Sequence, residues 1–314
     1  MNKQQQEYIM QEYSGIAHMN EPMSKHSTFG IGGCAKILLL PRYKEEIKKI
    51  LKYSKKNKIK IIFIGSGSNL LFSDDGFNGI VISLKKAFKK LEVFDEGRIV
   101  AGSGVILVKM VRKAINKNIK GLESLVGVPG TLGGALYMNA GAYGTEISKY
   151  FISAKFLDMD GKEKIIKSKD VDFSYRKSTF PNNYILIEAE FECQIGDIKK
   201  IIKNKNQFSK SRREKQPLQY PSAGSIFKNP SLKVAAGYLI DSAGLKGTQK
   251  GNAMISEKHA NFIVNLGGAS SDDVVYLIKL IKREVYKKFK INLELEVKLL
   301  GFKNDLIKEI SFCA

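Results

Sequence analysis

Between residues 127 and 144 the chain reads GVPGTLGGALYMNAGAYG, and few folds can absorb such a stretch. It is too rich in small residues to be expected in the packing of a core, and too apolar for a flexible linker, so a ligand's backbone is expected to lie against it. A second small-residue run, Gly65-Ser66-Gly67-Ser68-Asn69, closes the β-branched and apolar residues 59–64, which read as a strand. Glycines there let successive N–H groups turn toward an anion with no Cβ in the way, so the loop can cradle a phosphate; a tight turn between strands is the alternative. A Rossmann site is disfavoured, because position six of the run is Leu70 and the following LFSDDGF reads as a turn rather than a helix. No Lys-Ser or Lys-Thr pair completes a P-loop either. Two such loops together suit a long cofactor with a pyrophosphate and a flat ring.

The rest of the chain reads as an α+β arrangement. Residues 43–55 place Tyr43, Ile47, Ile50, Leu51 and Ser54 on one face, a surface helix after Pro41. Residues 79–84 read as a buried strand and 105–116 as a helix. Alternation over 150–158, 162–167 and 184–193 fits antiparallel strands, with Asp160-Gly161 turning between the first pair. A very basic helix is expected over 197–215, ending before Pro217, and residues 216–222 read as a linker. Beyond it the pattern gives a helix at 234–242, a strand at 261–266 and a helix at 272–289 with Ser270, Ser271 or Asp272 at its start. A final strand at 292–300 puts Leu293, Leu295, Val297 and Leu299 on one face. Glu296 falls on the other, where core packing does not explain it.

A chain of 314 residues with 43% apolar content can bury more than one core, and a disordered or peptide scaffold is excluded. Its net charge of +21 invites an anionic partner, but only 7 of the 52 basic residues are arginine and the lysines run the length of the chain. That reads as composition bias rather than a nucleic-acid footprint. Cys34, Cys193 and Cys313 form no C-x-x-C pair, so neither a disulfide framework nor a metal site is expected. No apolar run suits a membrane helix and MNKQQQEYIM lacks a signal peptide's apolar region, which places the protein in the cytoplasm.

The segments STFGIGG, GSGSNLLFSDDGFNGIVI, GLESLVGVPGTLGGALYMNAGAYGTEI, DFSYRKSTF, PSAGSIFKNP, AGYLIDSAGLKG, KHANFIVN and LELEVKLLG follow one another over residues 25–301. In kind and order they resemble the UDP-N-acetylenolpyruvoylglucosamine reductase family. The resemblance implies a vanillyl-alcohol-oxidase-like (PCMH-type) FAD-binding fold of two subdomains, residues 1–85 and 86–215, plus a C-terminal α+β substrate domain, residues 216–314. GSGSN stands where GGGSN is more usual, and Ser27 where Asn is frequent; neither removes a backbone amide. The short span from Arg176 to Ser225 resembles the shorter subclass, which lacks an inserted tyrosine-bearing loop.

The implied reaction is reduction of the enolpyruvyl ether of a UDP-sugar to UDP-N-acetylmuramate, with non-covalent FAD as cofactor and NADPH as co-substrate, in peptidoglycan precursor synthesis. Its difficulty is the negative charge left beside a carboxylate, which fixed positive charge and hydrogen-bond donors must stabilise. By motif match Arg176 holds the carboxylate, Ser225 donates the proton and Glu296 completes the catalytic set; read alone, they could be a surface ion pair, a turn serine and a solvated strand charge. The match assigns Gly65, Ser66, Gly67, Ser68, Asn69, Val128, Pro129, Gly130, Thr131, Gly133, Gly134, Asn139 and Gly141 to the cofactor. It assigns Tyr175, Arg212, Lys215, Asn229 and His259 to the substrate, although His259 could equally be structural. A monomer is expected, with no nucleic-acid partner and no membrane insertion. Two alternatives stay open: an FAD oxidase of the same fold acting on another small substrate, without the Arg176, Ser225 and Glu296 set, and a colourless, basic nucleic-acid-binding protein.

Overall fold

The computed structural model describes residues 1–312; Cys313 lies outside the described residues. The chain forms two compact units, each built from separated stretches: Met1–Met19, Ile37–Ser66 and Gly79–Arg212 in unit 1, and Asn20–Lys36, Gly67–Asn78 and Arg213–Ala314 in unit 2.

Unit 1 carries most of a four-stranded sheet in the order Ile16–Pro22, Cys34–Leu40, Phe77–Ser83, Ile61–Ile64. The last two run parallel, with Ile61 opposite Ile80 and Ile64 opposite Ser83. The helix Lys44–Lys56 buries Ile47 and Leu51 together with Leu157 and Ile185. Those partners belong to a five-stranded antiparallel sheet in the order Glu163–Lys167, Phe151–Leu157, Ile185–Glu192, Arg98–Gly102, Leu91–Val93. The reading of residues 150–193 holds here, including the Asp160-Gly161 turn, where Gly161 takes φ +76°. The helix Leu107–Asn116 lays Leu107, Met110, Val111 and Ala114 into the core behind this sheet.

The 127–144 block departs from expectation. It contains a short helix, Leu132–Tyr137, whose Leu132, Ala135 and Leu136 are buried in that same core. Small residues serve close packing as well as ligand approach: a Cβ on Gly65 would strike the Thr131 hydroxyl, and one on Gly141 would meet the Thr145 carbonyl at 2.7 Å.

Unit 2 is built around the helix Ser271–Phe289, which begins in a reciprocal capping box between Ser270 and Asp273. Val274, Ile278, Ile281 and Val285 join Phe29, Leu71, Phe227 and Leu293 in its core. The three-stranded sheet Gln249–Lys250, Ala253–Ile255, Ile263–Asn265 is antiparallel. The strand expected over 292–300 is shorter: only Lys298–Leu300 forms a ladder, parallel to Leu70–Phe72. Residues 294–297 pair with residues 226–228 through isolated hydrogen bonds and one bridge, Phe227 to Leu295. The alternation in sequence reports burial correctly, since Leu293 and Val297 are buried and Glu294 is exposed. Alternation follows burial, not ladder length, which is why the strand was overdrawn.

Candidate active site

In unit 1, Arg176 occupies the two-residue turn between the strands Phe173–Ser174 and Lys177–Ser178. Its φ is +56°, a position that L side chains resist and that turns normally give to glycine. A charged, long side chain placed there is a local conflict of the kind found at working sites. Its Nη2 donates to the Gly141 carbonyl at 3.1 Å, and the guanidinium lies 4.8 Å from the centre of the Tyr175 ring. Tyr175 itself is exposed. Ser178 Oγ donates to the Tyr137 carbonyl at 3.0 Å and Asn139 Nδ2 to the Ser174 carbonyl at 3.0 Å, so both hairpin strands are tied to residues 137–141.

Arg212, at the last turn of the helix Ile198–Lys215, packs against the Gly127 backbone, where an added Cβ would meet its Cδ at 2.5 Å. Burial works against its positive charge, and among the described residues no carboxylate pairs with it. A half-buried guanidinium in that condition suits an anionic ligand. Lys215, at the end of the helix, is exposed.

The loop of residues 128–134 has room and donors for a dinucleotide cofactor. Gly134 is exposed, and a Cβ there would meet only the Thr131 hydroxyl, at 3.9 Å, so its backbone borders open room. Gly130 takes φ +128°, Val128 is half-buried and Pro129 exposed, and the buried Ser103 hydroxyl, beneath Gly133, has no hydrogen-bond partner. Neutral backbone groups and hydroxyls beside an open surface are the donor set a pyrophosphate or flavin ring needs. Gly65 and Ser66, half-buried, follow the strand Ile61–Ile64 in the same unit.

In unit 2, Gly67, Ser68 and Asn69 complete the GSGSN run. Gly67, at φ +70°, is pressed against the His26 carbonyl, and its own carbonyl accepts from the Thr28 N–H at 3.1 Å. Thr28 Oγ1 in turn donates to the Ser222 carbonyl at 2.8 Å, just ahead of Ser225. The Glu296 N–H donates to the Ile226 carbonyl at 2.8 Å, and Asn69 Nδ2 donates to the Glu296 carbonyl at 3.0 Å. Ser225 and Glu296 are thereby brought onto neighbouring main chain, both half-buried.

Asn261 was passed over in the sequence. It is buried, and its amide both accepts from the Phe227 N–H at 2.9 Å and donates to the Phe227 carbonyl at 2.8 Å, replacing a strand partner two residues after Ser225. Only its place inside KHANFIVN, between the polar His259 and the apolar strand, hinted at it. His259 Nδ1 accepts from the Asn261 N–H at 3.3 Å, which leaves the proton on Nε2, and burial holds its pKa below the ordinary imidazole value. Asn229 Oδ1 accepts from the Ala236 N–H at 3.0 Å, at the start of the helix Ala236–Ser242. Among the described residues no group of three or more His, Cys, Asp or Glu is placed to hold a metal ion.

The fold is a PCMH-type FAD-binding fold with a separate C-terminal α+β unit, on the strength of two family matches and a solved relative. Residues 35–166 match the family described as FAD binding domain, and residues 216–300 match the UDP-N-acetylenolpyruvoylglucosamine reductase C-terminal domain. The chain is 42% identical over 283 residues to the UDP-N-acetylenolpyruvoylglucosamine reductase of Carboxydothermus hydrogenoformans, covering 90% of this chain and 93% of that protein. It is 40% identical over 308 residues to that of Clostridium botulinum strain 657, covering 96% and 99%. The crystal structure of the Thermus caldophilus enzyme superimposes with a TM-score of 0.76 at 31% identity, over 91% of this chain and 99% of that one. The chain belongs to the UDP-N-acetylenolpyruvoylglucosamine reductase family: it is an FAD-dependent oxidoreductase of peptidoglycan precursor synthesis.

Proposed function

We propose that Arg176, Ser225 and Glu296 are the catalytic residues of this reductase, acting on the enolpyruvyl ether of UDP-N-acetylglucosamine. Bound FAD supplies the two-electron transfer from NADPH to the double bond. Arg176, always charged and able to grip a carboxylate with two parallel N–H groups, holds the substrate carboxylate and stabilises the negative charge that develops next to it. Ser225 gives its hydroxyl proton to the carbon beside that carboxylate, completing the lactyl ether. Glu296, in its protonated form, donates toward the same developing charge. The observation that supports this reading is the Glu296 N–H bond to the Ile226 carbonyl, which sets the main chain of Glu296 beside that of the residue following Ser225.

Gly65 to Asn69 and Val128, Pro129, Gly130, Thr131, Gly133, Gly134 and Gly141 are assigned to FAD, and Tyr175, Arg212, Lys215, Asn229 and His259 to the nucleotide sugar. The unpaired, half-buried Arg212 supports a diphosphate contact. Residues 1–85 and 86–215 are assigned to two FAD-binding subdomains and 216–314 to the substrate domain; the C-terminal match beginning at residue 216 supports the second boundary, while the FAD-binding match spans 35–166 without a break. The single helix Ile198–Lys215 takes up much of the span between Arg176 and Ser225, which supports the subclass without an inserted tyrosine loop. Among the described residues no helix is long and apolar enough to cross a membrane; a cytoplasmic location and a monomeric state are part of the proposal.

The test is a two-step spectral titration of the purified protein. A yellow chromophore released on denaturation, bleached by NADPH and recoloured by the enolpyruvyl sugar nucleotide is the expected result. A chromophore that bleaches and stays bleached with that substrate would overturn the reading, as would a colourless protein that binds nucleic acid in a salt-sensitive way.

A further inference from the structure

We propose that Asn139 is a positioning residue for Arg176 rather than a cofactor ligand, an inference that rests on the catalytic role given to Arg176 above. Asn139 is fully buried and takes φ +41° just after the helix Leu132–Tyr137. Its Nδ2 donates to Glu146 Oε2 at 2.9 Å and to the Ser174 carbonyl at 3.0 Å, while its Oδ1 accepts from the Ser148 N–H at 3.3 Å. An asparagine amide has two N–H donors, and both are used inside the protein. A bound flavin nucleotide would find no donor left on this side chain.

What the amide does hold is the hairpin of Arg176. Ser174 is the last strand residue before the turn and pairs with Lys177 across it. Gly141, close along the chain from Asn139, receives the Arg176 Nη2 on its carbonyl at 3.1 Å. Residues 139–141 thus grip the hairpin twice, once at its main chain and once at the guanidinium. Arg176 needs such a grip, because its left-handed backbone persists only where neighbours over-determine it. The polarity of the amide is fixed: two acceptors face Nδ2 and one N–H faces Oδ1. An isosteric carboxylate would set oxygen against Glu146 and against the Ser174 carbonyl.

The experiment is a double-mutant cycle on the holoenzyme, read by stopped-flow absorbance of the flavin in both half-reactions. Asn139→Asp is expected to slow reoxidation by the enolpyruvyl substrate by at least about tenfold, with flavin content and reduction by NADPH within about twofold of the parent. In an Arg176→Ala background the same substitution is expected to change reoxidation by less than about twofold, since the residue it positions is gone. If Asn139→Asp does not yield folded protein, Asn139→Gly goes through the same cycle; glycine accepts the left-handed φ of +41° and removes the amide without adding a charge. Losses that add in the double mutant, or that fall on flavin content and the NADPH step, overturn the positioning role. An Arg176→Ala variant with normal reoxidation overturns the catalytic assignment as well, so the two failures are told apart.

Discussion

In unit 1, Arg176 stands in a tight hairpin turn whose strands are fastened from the side, by the Asn139 amide and the Ser178 hydroxyl, onto a segment backed by a well-populated core. In unit 2, Ser225 and Glu296 stand on irregular chain, and the main chain itself does the fastening: Glu296 N–H to Ile226, Lys228 N–H to the Glu294 carbonyl at 2.8 Å, with the Asn261 amide standing in for a missing strand. A strained residue is held by over-determination of its neighbours; unstrained residues on irregular backbone are held by satisfying every buried polar group around them. Both arrangements place asparagine amides beside the working residue. A short side chain carrying donor and acceptor can complete a backbone where no ladder runs.

Five substitutions probe that contrast, from the largest expected effect to the smallest. Ser225→Ala should slow reoxidation by the enolpyruvyl substrate by about a hundredfold or more, with the NADPH half-reaction almost unchanged in stopped-flow traces. Equal loss in both halves would mean that the unit 2 loop holds cofactor rather than proton. Asn261→Ala leaves the buried Phe227 N–H and carbonyl without partners and should lower the unfolding free energy by about 2 to 4 kcal/mol in urea titration. A change under about 0.5 kcal/mol would show that water completes the backbone there and that the amide is dispensable.

Lys290 offers the control for backbone strain. It ends the helix Ser271–Phe289 at φ +58°, and Lys290→Gly should raise stability by about 0.5 to 1 kcal/mol, measured the same way. Arg176→Gly relieves the same kind of strain but removes the Gly141 contact, so its stability should change by less than that of Lys290→Gly while reoxidation fails. The smallest effect concerns pH. Burial lowers the His259 pKa in the fold below its usual 6.5, so the unfolded chain takes up the proton first as pH falls. The stability that the neutral ring contributes is complete above 6.5 and declines as pH drops through the lower folded value; His259→Gln should flatten that part of the stability–pH curve.

The regular parts of the fold were legible in the sequence because their burial is periodic. Strict alternation drew the sheet of residues 150–193, and apolar spacing drew the helices around residues 44–56 and 271–289. Residues 292–297 misled for the same reason: burial alternates there as in a strand, while the hydrogen bonds go singly to residues 226–228. The 127–144 block misled only in part: Leu132, Ala135 and Leu136 pack into the core, and a run of small residues looks alike whether a ligand or another piece of backbone comes close, as Thr131 does to Gly65. The identities of Arg176, Ser225 and Glu296 came from motif order. Asn261 left no signal beyond its place in KHANFIVN, because a buried amide paired to distant main chain has neither period nor spacing.

The pairing of Leu70–Phe72 with Lys298–Leu300 has a consequence for how the polypeptide is made. Asn69 and Glu296, which that pairing brings together, are 227 positions apart, whereas the antiparallel sheet of unit 1 is assembled from a nearly continuous stretch. As the ribosome delivers the chain from its amino end, the sheet can close early, but the early-made residues of unit 2 must wait for almost the whole message to be read. A transcript cut short near its end therefore yields a protein that owns its glycine-rich loops and Arg176 yet has never had Glu296 to set beside the chain of Ser225.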